Sequence, residues 1–381
     1  MHKKAVTFIK QEIVFILSFF LAVISCFFVT PSKEFLSYID YRVLALLFCL
    51  MAVVQGFSSI GIFHKLGQSL LQRLSTTRSL ALTLICLCFF SSMLITNDVA
   101  LITFVPFTVF ILQLANRTDR FIVFIVLETI AANLGSMLTP LGNPQNLYLY
   151  TVSEMELGTF LLTLLPYSAV AFVLLILCTF FIKKEPISIQ SASPEPESLS
   201  AKEAQSKSKH KFLLVVYSLL FLLCLLVVLH ILPFIAVFII VGVTILVFDR
   251  TVLKQVDYFL LLTFVCFFIF IGNLKNIPAV HQVLSQVIYG HEFLSGVLTS
   301  QIISNVPAAL LLSGFTNEWP ALLIGVNIGG LGTLIASLAS LISYKQYIKT
   351  ADSKTGRYLL IFTLYNIGFM AILVPLYCLL N

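Results

Sequence analysis

The sequence predicts an all-α polytopic membrane protein. It predicts two inverted repeats, about nine transmembrane helices plus two re-entrant hairpins, with broken helices at the midplane. Three observations lead there. Of 381 residues, 59% are hydrophobic and 10% charged, where soluble domains carry about 25% charged residues. The basic residues fall on one side of a single consistent layout. Two polar motifs interrupt the apolar sequence twice, in the same order, once in each half.

Taken in order, apolar runs predict membrane helices over 12–30, 42–62, 120–150, 158–182, 212–230, 233–248, 258–273, 320–344 and 358–380. The first run is long enough to span and lacks a small-residue cleavage site, so it reads as a helix and not a leader. The alternating ten-residue strands of a membrane barrel are absent. Two further stretches, 79–115 and 293–315, carry polar tripeptides near their middles: Thr96-Asn97-Asp98 and Ser304-Asn305-Val306. These read as re-entrant hairpins, because irregular backbone at that depth survives only when buried in protein or lining a watery cavity. An amphipathic, interfacial stretch precedes each, at 67–78 and 276–290. Residues 184–211 are rich in Ser, Pro, Glu and Lys and predict a flexible cytoplasmic linker. The expected organisation is a first repeat over 1–183, with hairpin 79–115 and broken helix 120–150. The linker follows. Residues 212–381 hold an extra helix and a second inverted repeat, with hairpin 293–315 and broken helix 320–344.

Charge supports this layout. With the N-terminus inside, 20 Lys and Arg fall in cytoplasmic loops and three, Lys33, Arg42 and Lys275, fall outside. Making either hairpin cross fully inverts every later loop and destroys the skew. The expected location is the cytoplasmic membrane, N-terminus cytoplasmic and C-terminus external. The eight cysteines sit in apolar segments without metal-ligand spacing and read as small buried hydrophobes.

The repeat is visible in residues. Ile95-Thr96-Asn97-Asp98 parallels Ile303-Ser304-Asn305-Val306. Asn133-Leu134-Gly135-Ser136-Met137-Leu138-Thr139 parallels Asn327-Ile328-Gly329-Gly330-Leu331-Gly332-Thr333. Each hairpin tip is thus followed by an Asn-x-Gly-x-x-x-Thr element inside the next spanning helix. One unpaired helix, 212–230, turns the second repeat upside down.

These four segments resemble the ion transporter superfamily, which includes arsenite permeases, NhaD-type antiporters, and citrate and dicarboxylate symporters. The run through Leu141-Gly142-Asn143-Pro144-Gln145-Asn146 is similar to that group's Gly-Asp/Ser-Pro-x-Asn element. The resemblance covers nearly the whole chain in architecture and implies secondary transport. Two departures stand out. The dicarboxylate branch carries Ser-Asn-Thr at both tips, whereas this chain has Asp98 and Val306 at the third positions, which argues against a dicarboxylate. Asp98 resembles the Asn-Asp of the arsenical branch, and Asn143 replaces an Asp of many members.

The candidate ion- and substrate-binding residues are Thr96, Asn97, Asp98, Asn133, Gly135, Thr139, Asn143, Ser304, Asn305, Asn327, Gly329, Thr333 and Ser337. Amide oxygens beside unwound carbonyls suit hard cations, and half-helix N-termini attract anions. Sodium sites are expected at Asn97/Asn133 and at Asn305/Asn327. The blander role of Asn, Ser and Thr here is capping interrupted helices. Asp98 and Glu128 are the acids within apolar segments and the candidates for coupling; a helix cap is the alternative for Asp98 and an interhelical contact for Glu128. The expected partners are the lipid bilayer, a small inorganic or organic anion and a coupling cation, with a homodimer compatible and nucleic acid excluded. No cofactor is expected beyond a transported or coupling Na+ or H+. The expected function is cation-coupled transport of a small anion or metalloid oxyacid, with a sodium/proton antiporter as alternative. An enzyme is not expected, because no zinc-protease helix, nucleophile elbow or phosphate-binding loop is present.

Overall fold

The computed structural model describes residues 13–61, 76–187, 201–350 and 353–381, with the side chains of Ile13 and of 201–209 outside the description. The chain is nearly all helix, with no named strand among the described residues. The first half contains α1 (Ile13–Ser25), α2 (Phe35–Tyr38), α3 (Tyr41–Ser59), α4 (Thr77–Ile95), α5 (Asn97–Leu114), α6 (Phe121–Ser136), α7 (Pro144–Ser153) and α8 (Leu157–Phe180). The second contains α9 (Ala201–Val228), α10 (Phe234–Phe248), α11 (Arg250–Leu253), α12 (Tyr258–Lys275), α13 (Pro278–Ile288), α14 (Glu292–Ile303), α15 (Asn305–Leu312), α16 (Trp319–Ile328), α17 (Leu338–Tyr347) and α18 (Thr355–Leu380). Seven helices among the described residues are long and apolar enough to cross a membrane. The chain is a multi-pass membrane protein.

The local signals are chemical. Asp40 and Asp257 cap α3 and α12 by accepting the N–H groups of Val43 and Leu260 at 3.0 and 2.9 Å. Thr76 and Ser79 form a capping box on α4. The hairpins break at single residues, Thr96 (φ 70, ψ 149) and Ser304 (φ 78, ψ 154). That conformation belongs almost entirely to glycine, and a side chain there costs about 1–3 kcal/mol.

Both hairpins turn back on themselves. The start of α4 and the end of α5 meet at Glu185: Thr77 N–H donates to the Glu185 carbonyl at 2.9 Å, and Arg117 pairs with the Glu185 carboxylate at 2.9 Å. The base of α14–α15 closes through Glu292, whose Oε1 accepts from Gly290 N–H at 3.1 Å and from the Thr316 hydroxyl at 3.2 Å.

Packing follows one rule in both halves. The first arm of each hairpin lies along its own half's broken helix, α4 on α6 and α14 on α16. The second arm packs both on its own half's broken helix, α5 on α6 and α15 on α16, and on the far piece of the other half's, α5 on α17 and α15 on α7. Small residues permit the approach. A Cβ on Gly135 would stand 2.2 Å from the Phe89 carbonyl oxygen, and one on Gly329 would stand 2.8 Å from Ser300 Cβ.

Three boundaries differ from expectation. α1 ends at Ser25 instead of 30, where Cys26 to Phe28 turn ahead of Pro31. α9 starts at Ala201 instead of 212, since Ala201-Lys202-Glu203-Ala204-Gln205 are strong helix formers. Of the linker expected over 184–211, residues 201–211 form the start of α9, and residues 188–200 lie outside the described residues. The linker's first residues are fixed at the hairpin base, where the Glu185 carbonyl accepts the Thr77 N–H that α4 leaves open at its N-terminus and the Glu185 N–H donates to the Thr77 hydroxyl at 3.1 Å. The interfacial stretch expected at 67–78 lies outside the described residues up to 75. Its counterpart over 276–290 is α13.

Candidate ion and substrate site

The four motifs meet. The Asn97 N–H donates to the Gly142 carbonyl at 3.0 Å, and the Asn305 N–H donates to the Ala336 carbonyl at 2.9 Å. The Thr139 hydroxyl donates to the Met93 carbonyl, and the Thr333 hydroxyl to the Gln301 carbonyl at 3.2 Å. Each hairpin tip is therefore docked onto its own half's helix break by the same two bonds.

The amides then cross between halves. Asn133 Oδ1 accepts from Asn97 Nδ2 at 3.0 Å and from the Ser337 hydroxyl at 3.0 Å, while Asn133 Nδ2 donates to Ser340 Oγ at 3.4 Å. Asn327 Oδ1 accepts from Asn143 Nδ2 at 3.2 Å, and Asn327 Nδ2 donates to Asn146 Oδ1 at 2.7 Å. Asn133 thus holds Ser337 and Ser340, and Asn327 holds Asn143 and Asn146. The positions are equivalent: Asn143 follows Asn133 by ten residues and Asn146 by thirteen, as Ser337 and Ser340 follow Asn327. That register was readable in the sequence, yet motif matching alone missed Asn146 and Ser340 as site members. All of these side chains are buried, and a buried amide is costly unless bonded.

The unwound carbonyls are held differently. Asn146 Nδ2 donates to the carbonyls of Met137 at 2.8 Å and Thr139 at 3.1 Å. In the second half Gln301 Nε2 donates to the carbonyls of Gly329 and Leu331, both at 2.8 Å, and Gln301 Oε1 accepts the Thr333 N–H at 2.9 Å. A Cβ on Gly332, at φ +102, would stand 2.2 Å from Gln301 Oε1. Asn305 and Asn327 converge on Gly330, where a Cβ would lie 2.8 Å from Asn305 Nδ2 and 3.2 Å from the Asn327 carbonyl oxygen. Gln301 gave no signal in the sequence, because one glutamine in an apolar arm resembles an exposed helix residue.

Asp98 is half-buried in the first turn of α5. Its N–H bonds Asn97 Oδ1 at 2.9 Å, and its carboxylate makes no hydrogen bond or salt bridge among the described residues. It borders two cavities, of about 120 and 180 Å3. Asp257, the cap of α12, borders both as well. Thr96 and Asn143 reach the first, and Val306 and Lys345 reach the second. Glu128 is elsewhere. Fully buried between α5 and α6, it accepts the Thr108 hydroxyl at Oε1 and has no partner at Oε2. It borders neither cavity. Among the described residues no group of three or more His, Cys, Asp or Glu could hold a metal ion. No Lys or Arg bonds the asparagine cluster there either, so its chemistry is that of amides, hydroxyls and carbonyls.

Comparison with known proteins fits this arrangement. A family model described as "Citrate transporter" matches residues 5–318. An uncharacterised transporter of Methanocaldococcus jannaschii is 33% identical over 339 residues, 88% of this chain and 89% of that protein. The inner membrane protein YbiR of Escherichia coli is 31% identical over 318 residues, 82% of each. The silicon efflux transporter LSI3 of Oryza sativa is 34% identical over 141 residues, 37% of this chain and 28% of that protein.

Proposed function

The chain belongs to the citrate transporter family, and from that premise we propose that this membrane transporter works by cation-coupled alternating access. It moves a small anion or metalloid oxyacid across the cytoplasmic membrane, with H+ or Na+ as the coupling ion. The observation that carries this reading is the crossed pair of asparagines. Asn133 and Asn327 each bond the other half's helix break, so a rocking motion of one half against the other remakes both sets of bonds at once. In the proposed orientation the first hairpin enters from the cytoplasm and the second from outside, as the 20-to-3 basic skew supports.

The chemistry of the cluster favours substrates that need little cationic neutralisation. Amides, hydroxyls and half-helix N-termini bind weakly acidic oxyacids well, and one relative's name denotes silicon efflux. Asn97 with Asn133, and Asn305 with Asn327, supply amide oxygens for a coupling cation. Asp98 is the coupling group: a carboxylate at one tip, opposite Val306 at the other, facing water-sized space instead of a fixed partner.

The test is Asp98→Asn in proteoliposomes, with a panel of oxyacids and short carboxylates and with sodium and proton gradients imposed separately. The variant is expected to keep substrate exchange at zero gradient and to lose uphill accumulation. Full uphill transport with unchanged pH and sodium dependence sinks the assignment and moves coupling to Glu128. A sodium/proton antiporter is the second reading, favoured by Asp98 and Asp257 bordering the same cavities. Sodium-driven proton flux without any added anion distinguishes it.

A further inference from the structure

A cavity of about 590 Å3 lies at the other end of α12 from Asp98 and Asp257. Asp257 caps the start of this helix and Lys275 closes it. Eighteen residues of helix separate the two ends by about 27 Å, close to the thickness of a bilayer core. Asp98 and Asp257, with Lys345 beside them, border the cavities at one end of α12, and Lys275 borders the cavity at the other.

Lys275 makes no salt bridge among the described residues. Its stem crosses Gly314, where a Cβ would stand 3.2 Å from Lys275 Cε. His281 of α13 borders the same space, as do Ser285, Asn317 and Trp319. An imidazole offers a ring N–H donor in either protonation state. The Thr316 hydroxyl is committed to Glu292, and the Ser313 hydroxyl donates to the Leu310 carbonyl at 2.9 Å. Lys275, His281, Ser285 and Asn317 have no such commitments among the described residues. These groups donate hydrogen bonds, and the one fixed charge bordering the cavity is positive. The inner wall is Tyr148, whose hydroxyl meets Ser313 Oγ at 2.8 Å. Tyr148 sits on α7 just after Asn146, and Ser313 closes the half-helix that begins at Asn305. The cavity therefore rests on the middle and end of α7, through Tyr148 and Val152, and on the far end of α15, the half-helices that begin at the asparagine cluster.

We propose that this cavity is a binding site for a small soluble anion, an inorganic oxyanion or short carboxylate, which waits there before reaching the asparagine cluster. The assignment deepens the transport reading above and takes its anionic substrate class from it. Anion binding here is nevertheless measurable without any transport. A lipid phosphate offers the same anionic oxygens, so lipid composition forms one arm of the test.

Trp319 is the chain's single tryptophan and borders the cavity, so its fluorescence, excited at the red edge where tyrosine does not absorb, reports on this site. The experiment is collisional quenching of the full chain in phosphatidylcholine nanodiscs at low ionic strength, with iodide, acrylamide and caesium as quenchers. Relative to free N-acetyltryptophanamide in the same buffer, the iodide-to-caesium quenching ratio is expected to be about threefold higher, the enrichment a single nearby positive charge gives. Inorganic phosphate, acetate or succinate should protect saturably against iodide, with equal ionic strength of sodium fluoride as control. Lys275→Gln should remove the iodide preference and leave acrylamide quenching unchanged, while Lys275→Arg should keep it; His281→Gln should weaken protection with the preference largely intact. An iodide-to-caesium ratio in the parent protein equal to that of free N-acetyltryptophanamide overturns the proposal. So does an unchanged preference in Lys275→Gln, or the failure of all three anions to protect. Loss of iodide quenching on adding phosphatidylglycerol to the nanodisc assigns the site to a lipid headgroup and also overturns it. Saturable protection in a protein that proves inactive in every transport assay would leave this site standing and remove only the transport reading.

Discussion

The two halves share a backbone design but divide the work of holding it differently. Both tips break at one hydroxyl residue with the same dihedral angles, and both dock through the same backbone bonds. The first hairpin has arms of 19 and 18 residues, the second arms of 12 and 8. In the first half the unwound carbonyls are held by Asn146, and the hairpin offers only Met93 at the position equivalent to Gln301. In the second half Gln301 holds them, and the position equivalent to Asn146 is Ser340. One amide per half does the holding, from opposite sides of the break. Backbone geometry is thus the common feature, and side chains are interchangeable means of satisfying it. Asp98 against Val306 is the asymmetry with no such compensation.

Breaking the crossing should have the largest effect. Asn133→Ala and Asn327→Ala each leave buried partners without a bond, which costs about 1–3 kcal/mol per group. Each should lower transport about tenfold or more while leaving membrane insertion intact, as read by initial uptake rates and by monodispersity of the purified variant. Similar losses in both sharpen the equivalence of the halves. A silent Asn133→Ala beside a dead Asn327→Ala would break it.

The exchange of amides predicts a rescue. Gln301→Met copies the first half's Met93 into the second and removes two donated bonds. It should lower unfolding stability by about 2 kcal/mol, measured by thermal or denaturant unfolding in detergent. Adding Ser340→Asn copies Asn146 as well and should restore about half of that loss. Independent, additive effects of the two changes would show that the correspondence is only in the backbone.

Most of this architecture is legible in the sequence because membrane burial leaves little ambiguity. A polar tripeptide in a long apolar run marks a break, and paired motifs mark the halves. Thr96, Asn97, Ser304, Asn305, Asn133 and Asn327 were all accessible in that way. Gln301, Asn146, Ser340 and Lys345 were not, for different reasons. Gln301 acts on an element distant in sequence, so only packing assigns it, while Ser340 shows in the sequence only through its register with Asn146. Asn146 was hidden by its role as a short-range helix-start residue. Asp257 and Lys345 look like loop charges until α12 and α17 bring them to the cavities beside Asp98. Glu128, by contrast, was conspicuous in the sequence, yet it is turned toward Thr108 instead of the cavities.

Smaller effects come from the tips. Thr96→Gly and Ser304→Gly put the residue suited to positive φ at each break. Each should raise stability by up to about 1 kcal/mol, with the gain reduced by added chain entropy in the unfolded state. Equal gains support equivalent strain at the two tips. A gain at Ser304 with a loss at Thr96 would show that the threonine side chain, which borders the cavity with Asp98, contributes more than its backbone costs.

The smallest expected effect compares the hairpin bases. Glu185 is ringed by cations: Arg117 at 2.9 Å, Lys183 at 3.2 Å and Arg120 at 3.4 Å. The hydrogen bond from Lys183, followed by the charges of Arg117, Lys183 and Arg120, holds its carboxyl below the usual range. A carboxyl depressed in the folded state adds stability above its unfolded pKa, near 4.3 for glutamate. That contribution is lost as pH falls through the lower folded value. Glu292 closes the second hairpin with no cation, through Gly290 N–H and the Thr316 hydroxyl. Unfolding stability should therefore fall between pH 6 and about pH 3 less steeply in Glu185→Gln than in the parent protein. Raising salt at neutral pH should shrink the difference between the two, because exposed pairs are screened. Glu292→Gln, which keeps an acceptor for both bonds, should show no such salt dependence. A Glu185→Gln profile that parallels the parent through acid would mean that the bonds of the Thr77 N–H and hydroxyl to the backbone of residues 183–185 hold the first hairpin base, and that the ring of cations adds nothing to them.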